Sequence, residues 1–145
     1  VLLVTGAGFA LLILIGAAAG VSWGPPVPVA ILVAATAIAA SGTLLLIMSL
    51  VGSERQGDAL TTIVIITWSM VGGAFMPISQ MPSFLRPISA STLVYWATDA
   101  FNTLMLNGAG LGDIIGNLAV LLGAGITFLA AGALILGSKI RRGVV

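Results

Sequence analysis

The sequence predicts an all-α integral membrane protein, with four transmembrane helices and a re-entrant or interfacial helical segment between the third and fourth. Three observations predict it. The 145 residues include five basic and four acidic side chains, 6% of the chain, against 59% hydrophobic residues, and the mean hydropathy is +1.24. A soluble domain would carry about a quarter charged residues to face water, so the solvent that fits this composition is lipid. Four long apolar stretches hold none of these charges. Lys139, Arg141 and Arg142 crowd the C-terminal end, which is an orientation signal in a multi-span protein.

The first apolar run, about 1–21, has Thr5 as its only polar side chain. About 20 helical residues cross a hydrocarbon layer of ~30 Å, so one span fits. Ser22-Trp23-Gly24-Pro25-Pro26 then breaks the helix, because proline lacks a backbone donor and disfavours helix in the residue before it; Trp23 is expected at interfacial depth. A second run, 28–51, ends at Gly52-Ser53-Glu54-Arg55-Gln56-Gly57-Asp58. Its three charges make this a solvated loop rather than a lipid-buried segment. The third run, 59–76, ends in Gly72-Gly73 and Pro77, and the fourth is 114–137.

Between the third and fourth runs, Leu93, Trp96, Ala97, Ala100, Phe101, Leu104 and Met105 recur at the spacing of one helix face. Ser91 can cap the start of this helix and Asn107-Gly108 its end. Thr92, Tyr95, Thr98, Asp99, Asn102 and Thr103 form the other face, so the segment is too short and too polar to span alone. The positive-inside rule places the basic tail in the cytoplasm. With four spans Arg55 is also cytoplasmic and Arg86 lies outside; counting the amphipathic segment as a fifth span exchanges Arg86 and Arg55 and leaves the bias unchanged. Polarity, rather than charge, favours four.

The chain has no cysteine and no histidine, which removes disulfides, thiolate or imidazole metal sites and the usual proton-shuttling ring. Lys139 is the only lysine, and no G-x-x-x-x-G-K-[ST] precedes it, so any ATP chemistry belongs to a partner. Gly6-Ala7-Gly8 lacks the strand and the third glycine of a dinucleotide loop. A membrane serine hydrolase would need a Ser-Lys pair, and Lys139 lies at the end of the last run, far from any midplane serine. The expectation is a protein that is not an enzyme, with no catalytic, cofactor or metal residues and no nucleic-acid partner. Glu54, Arg55 and Asp58 read as a solvated cytoplasmic turn. Asp99, the one acid on a membrane-embedded element, reads either as functional or as a side chain that meets water. Small residues four apart, such as Gly16 with Gly20 and Ala35 with Ala39, fit close helix packing and assign no dimer interface. The chain begins on an apolar Val1 with no signal-peptide pattern, and reads as a piece of a longer one.

At Gly72-Gly73-Ala74-Phe75-Met76-Pro77-Ile78-Ser79-Gln80-Met81-Pro82, followed by Phe84-Leu85 and Tyr95-Trp96-Ala97-Thr98-Asp99-Ala100-Phe101, the chain resembles the permease subunits of type-2 ABC transporters. The resemblance extends over nearly all of residues 1–145 as the C-terminal part of such a transmembrane domain. It implies two short re-entrant helices, a hairpin at about 82–106, on the outer side of the membrane, and a final span returning to a cytoplasmic tail. It further implies a multi-pass permease in a bacterial or archaeal plasma membrane, working as an exporter. The translocation pathway would lie between two permeases, homo- or heterodimeric, powered by a separate ATP-binding cassette subunit that holds ATP and Mg. Residues expected to shape or gate the pathway are Gly72, Gly73, Phe75, Pro77, Met81, Pro82, Trp96 and Asp99. The alternatives are an ion-coupled secondary transporter or channel, which usually carries acids or histidines within its spans, and a non-transporting membrane assembly subunit.

Overall fold

The computed structural model describes residues 2–20, 24–75 and 80–141. They form α1 (Leu2–Ala18), α2 (Pro26–Leu50), α3 (Glu54–Val71), the short α4 (Arg86–Ser89), α5 (Leu93–Asn107) and α6 (Ile115–Arg141), which a 3-10 turn at Leu111–Ile114 leads into. No strand occurs among the described residues. Among the described residues, two helices are long and apolar enough to cross a membrane: Pro26–Leu50 and, with its leading turn, Leu111–Arg141.

Local chemistry sets the boundaries, and several differ from the sequence expectation. Two prolines open α2, with Pro25 at the N-cap and Pro26 in the first turn, where the missing amide is one the helix could not have bonded. The helix therefore starts two residues earlier than the expected 28. The proposed depth of Trp23 lies outside the described residues. The expected loop 52–58 is a correction: Glu54, Arg55 and Asp58 belong to the first turns of α3. Ser53 Oγ accepts from the Gln56 amide at 3.4 Å, and Ser-Glu-Arg-Gln is a capping-box sequence. Glu54 also sits where the positive end of the helix dipole favours an acid. The charges that make this segment unsuited to lipid did not keep it out of a helix.

The amphipathic segment is helical and ends as expected at Asn107, with Gly108 left-handed at φ 58°. Its cap is Thr92 rather than Ser91: Thr92 Oγ1 accepts from the Tyr95 amide at 3.3 Å. The last helix runs to Arg141, four residues beyond the expected end, because Lys139 has a partner. Its Nζ donates to the Val51 carbonyl at 3.0 Å, filling an acceptor that the C-terminus of α2 would otherwise leave open.

The core sits where α2, α5 and α6 meet, built from Val29, Leu32, Ala35, Ala39, Ala100, Leu104, Ile114, Leu118 and Leu121. In lipid there is little hydrophobic drive between helices, so close packing must hold them. The α2–α6 crossing supplies it. A side chain at Gly42 would run into the Gly125 carbonyl, one at Gly125 into the Ala39 backbone at 2.9 Å, and one at Gly132 into Leu45 and the Leu46 amide at 3.0 Å. Ala39, flagged with Ala35 by their spacing, is at this crossing, and Ala35 is buried in the core. The pairs Ala39–Gly125, Leu46–Gly132 and Val51–Lys139 advance together, so α2 and α6 run parallel. The chain thus leaves α3 and enters α6 at the same end of the bundle, and the α4–α5 hairpin begins and ends there.

Candidate functional site

At that end, the chain turns at Gly72-Gly73. The Gly72 amide donates to the Trp68 carbonyl at 2.7 Å and the Ala74 amide to Ser69 at 3.2 Å, closing α3. Gly73 has φ 92°, a conformation that side chains other than glycine's resist. Gly72 is buried against α5: a methyl group there would meet Val94 Cβ at 2.7 Å and Thr92 Oγ1 at 2.8 Å. The glycine pair therefore ends one helix and lets the next pack directly on its terminus.

The α4–α5 turn is tied by side chains. Ser89 is fully buried; its Oγ donates to the Leu85 carbonyl at 2.9 Å and lies 3.3 Å from the sulfur of buried Met81. Thr92 Oγ1 donates to the Ser89 carbonyl at 2.8 Å while capping α5. The Trp96 indole, edge-on to Tyr95, donates to the Ala90 carbonyl at 2.9 Å and so pins the turn to the helix that follows it. Of the sequence candidates, Gly72, Gly73, Met81, Trp96 and Asp99 fall into this assembly. Phe75 and Pro82 are exposed, and Pro77 lies outside the described residues. Glu54, Arg55 and Asp58, all exposed, are at the opposite end of α3.

Asp99 is bonded to the last helix. It is half-buried, and its Oδ2 accepts from Asn117 Nδ2 of α6 at 3.0 Å. The same nitrogen donates to the Trp96 carbonyl, also at 3.0 Å. Both partners are acceptors, which fixes the amide's orientation. Asn117 and the buried Ser89 were not among the residues singled out from the sequence, and the buried Thr92 was read only as part of the polar face of α5. The available signal for Asn117 was its polarity: with Thr127 it is one of two polar side chains in the run 114–137, where such groups need a partner.

Beneath the turn lies a cavity of about 430 Å³ between α2, α3, α5 and α6. Its outer part is walled by Trp68, Leu93, Val94, Ala97 and Phe101, and its deeper part by Ile47 and Thr61. The volume is in the range of small-molecule sites. Its walls are largely apolar: of the lining hydroxyls, Thr36 and Thr43 donate to the Leu32 and Ala39 carbonyls of their own helix, while Thr61 Oγ1 is buried without a hydrogen-bond partner. Such a space can hold apolar matter, but offers no acid–base pair. No cluster of three or more potential metal ligands occurs among the described residues.

Residues 1–106 match the family described as ABC-2 type transporter. The chain is 33% identical over 112 residues to the linearmycin resistance permease protein LnrN of Bacillus subtilis (strain 168), an alignment that covers 77% of this chain and 29% of that relative. The chain thus spans under a third of the relative's length. No solved structure gives a significant match.

Proposed function

The chain belongs to the ABC-2 type transporter family, and from that premise we propose that it is part of a membrane permease that exports its substrate, powered by ATP hydrolysis on a separate cassette subunit. The permease works as a pair, with the pathway between the two copies. The single observation that carries this reading is the family match over 1–106, which includes the glycine turn and nearly all of α5. The relative's name, a resistance permease, supports the outward direction.

On this reading α1, α2, α3 and α6 are the four spans, and α4–α5 is a re-entrant hairpin on the outer side. The parallel course of α2 and α6 supports this, as does the length of α5: 15 residues reach about 22 Å at 1.5 Å each, short of a ~30 Å core. The Lys139 end is then cytoplasmic, by the positive-inside rule. The protein makes and breaks no covalent bond. Its work is to convert closure of the cassette subunits into alternating exposure of the pathway, in which Gly72 and Gly73 shape the outer turn and Trp96 and Asp99 hold the re-entrant helix.

The test is reconstitution of the full-length permease with its cassette subunit in lipid vesicles. The permease is expected to raise the subunit's ATPase activity, and transport is expected to stop when ATP is withdrawn. Transport that continued without ATP, driven by an ion gradient, would replace this reading with a secondary transporter.

A further inference from the structure

We infer that Asn117 is a positioning residue for transport: its amide clamps the re-entrant helix α5 to α6, so that the hairpin travels with the α2–α6 pair and not with α3. The inference rests on the permease reading above and adds to it a division of the bundle into two moving parts.

Asn117 is 8% exposed, and both hydrogens of its amide are used, one on the Trp96 carbonyl and one on Asp99 Oδ2, each at 3.0 Å. A side-chain amide has two N–H donors and no more, so any slide or rotation of α5 against α6 leaves a buried donor unsatisfied. That penalty exceeds the net gain from an ordinary hydrogen bond. The clamp extends further, because Trp96 itself donates to the Ala90 carbonyl at 2.9 Å. One side chain of α6 therefore holds α5, and through it the α4–α5 turn. On the far side α6 is locked to α2 by the glycine crossing and by Lys139.

By contrast α3 has one buried residue, Gly57, and meets α5 through van der Waals packing of Gly72 on Val94 and Thr92. That is one glycine contact, against the three glycines and the Lys139 bond that tie α6 to α2, so α3 is the less firmly held. The cavity lies between α3 on one side and α2, α5 and α6 on the other, so a shift of α3 against the clamped body changes its width. The amide also sets the rotation of α5, which turns Leu93, Val94, Ala97 and Phe101 toward the cavity.

The experiment uses the full-length permease with its cassette subunit and pairs of spin labels at introduced cysteines, of which this chain has none of its own. One pair, Asn102 with Ile126, reads α5 against α6; the other, Ile63 with Asn102, reads α3 against α5. All three positions are exposed. Between the nucleotide-free and ATP–vanadate states the Asn102–Ile126 distance is expected to stay fixed and the Ile63–Asn102 distance to shift. In nucleotide-free protein, Asn117→Leu is expected to lose the narrow Asn102–Ile126 distribution, and Asn117→Asp, which sets two carboxyl groups face to face, to lose it as well. Adding Asp99→Asn to Asn117→Asp gives the new carboxylate a donor to face and removes the carboxyl pair, but leaves the Trp96 carbonyl without its donor. The distribution is expected to narrow relative to Asn117→Asp without reaching the native width. This pair carries the test if Asn117→Leu fails to assemble.

A narrow distribution in both single variants, or no recovery in the double variant, would overturn the clamp; so would a native Asn102–Ile126 distance that shifts as far as the α3 pair. A complex in which no distance responds to ATP–vanadate counts against the permease reading, while the nucleotide-free comparison still decides the clamp.

Discussion

Trp96 is the side chain at which packing and polar bonding coincide. Its indole fills the space beside the core and donates to the Ala90 carbonyl, while its own carbonyl accepts from Asn117. Replacing it by alanine removes an aromatic body and orphans an acceptor, so Trp96→Ala is expected to destabilise the full-length permease by about 3 kcal/mol, read from thermal unfolding in detergent. Asp99 differs because its bond to Asn117 needs only an oxygen acceptor. Asp99→Asn keeps that acceptor and the shape and removes only the charge. Assembly and thermal stability are expected to stay at the parent level while the transport rate changes. An unchanged rate would leave Asp99 with the task of holding α5 and nothing more.

At the scale of elements, the α2–α6 crossing holds the bundle together, because small residues let two backbones touch where lipid gives no hydrophobic drive. Gly125 is buried against the Ala39 backbone, whereas a side chain at Gly123, two residues earlier, would meet nothing within 4 Å. Gly125→Leu is therefore expected to separate the helices and sharply lower the yield of folded permease, and Gly123→Leu to leave it near the parent level. Size-exclusion profiles of the two variants at matched expression check this. Equal profiles would mean that the crossing is not what holds α2 to α6.

For the whole molecule, the test is sidedness. The Lys139–Val51 bond and the first turn of α3 lie at one end of the bundle, and the α4–α5 hairpin at the other. A single cysteine at Ser53 is expected to resist an impermeant maleimide added to intact cells, and one at Ser83 to react; both positions are exposed. Labelling at Ser53 from outside would invert the molecule.

The membrane class, the run of apolar helices and the family were legible in the sequence, because each rests on composition or short-range pattern. Periodicity in 93–105 was enough to find α5, and Gly-Gly and Asn-Gly were enough to mark where helices end. Where local chemistry competed with hydropathy, the reading slipped: Ser53 with Gln56 started α3 among the charges, and Thr92 took the cap from its neighbour. Charge counting could not separate four spans from five, since both arrangements gave the same basic bias. The parallel course of α2 and α6 speaks to that question, and it rests on Ala39 meeting Gly125 and Val51 meeting Lys139, contacts between residues more than 80 positions apart. The partner of Asp99 was hidden for the same reason. A single amide in an apolar run shows that a bond is required, but which groups satisfy it depends on where the chain returns in three dimensions.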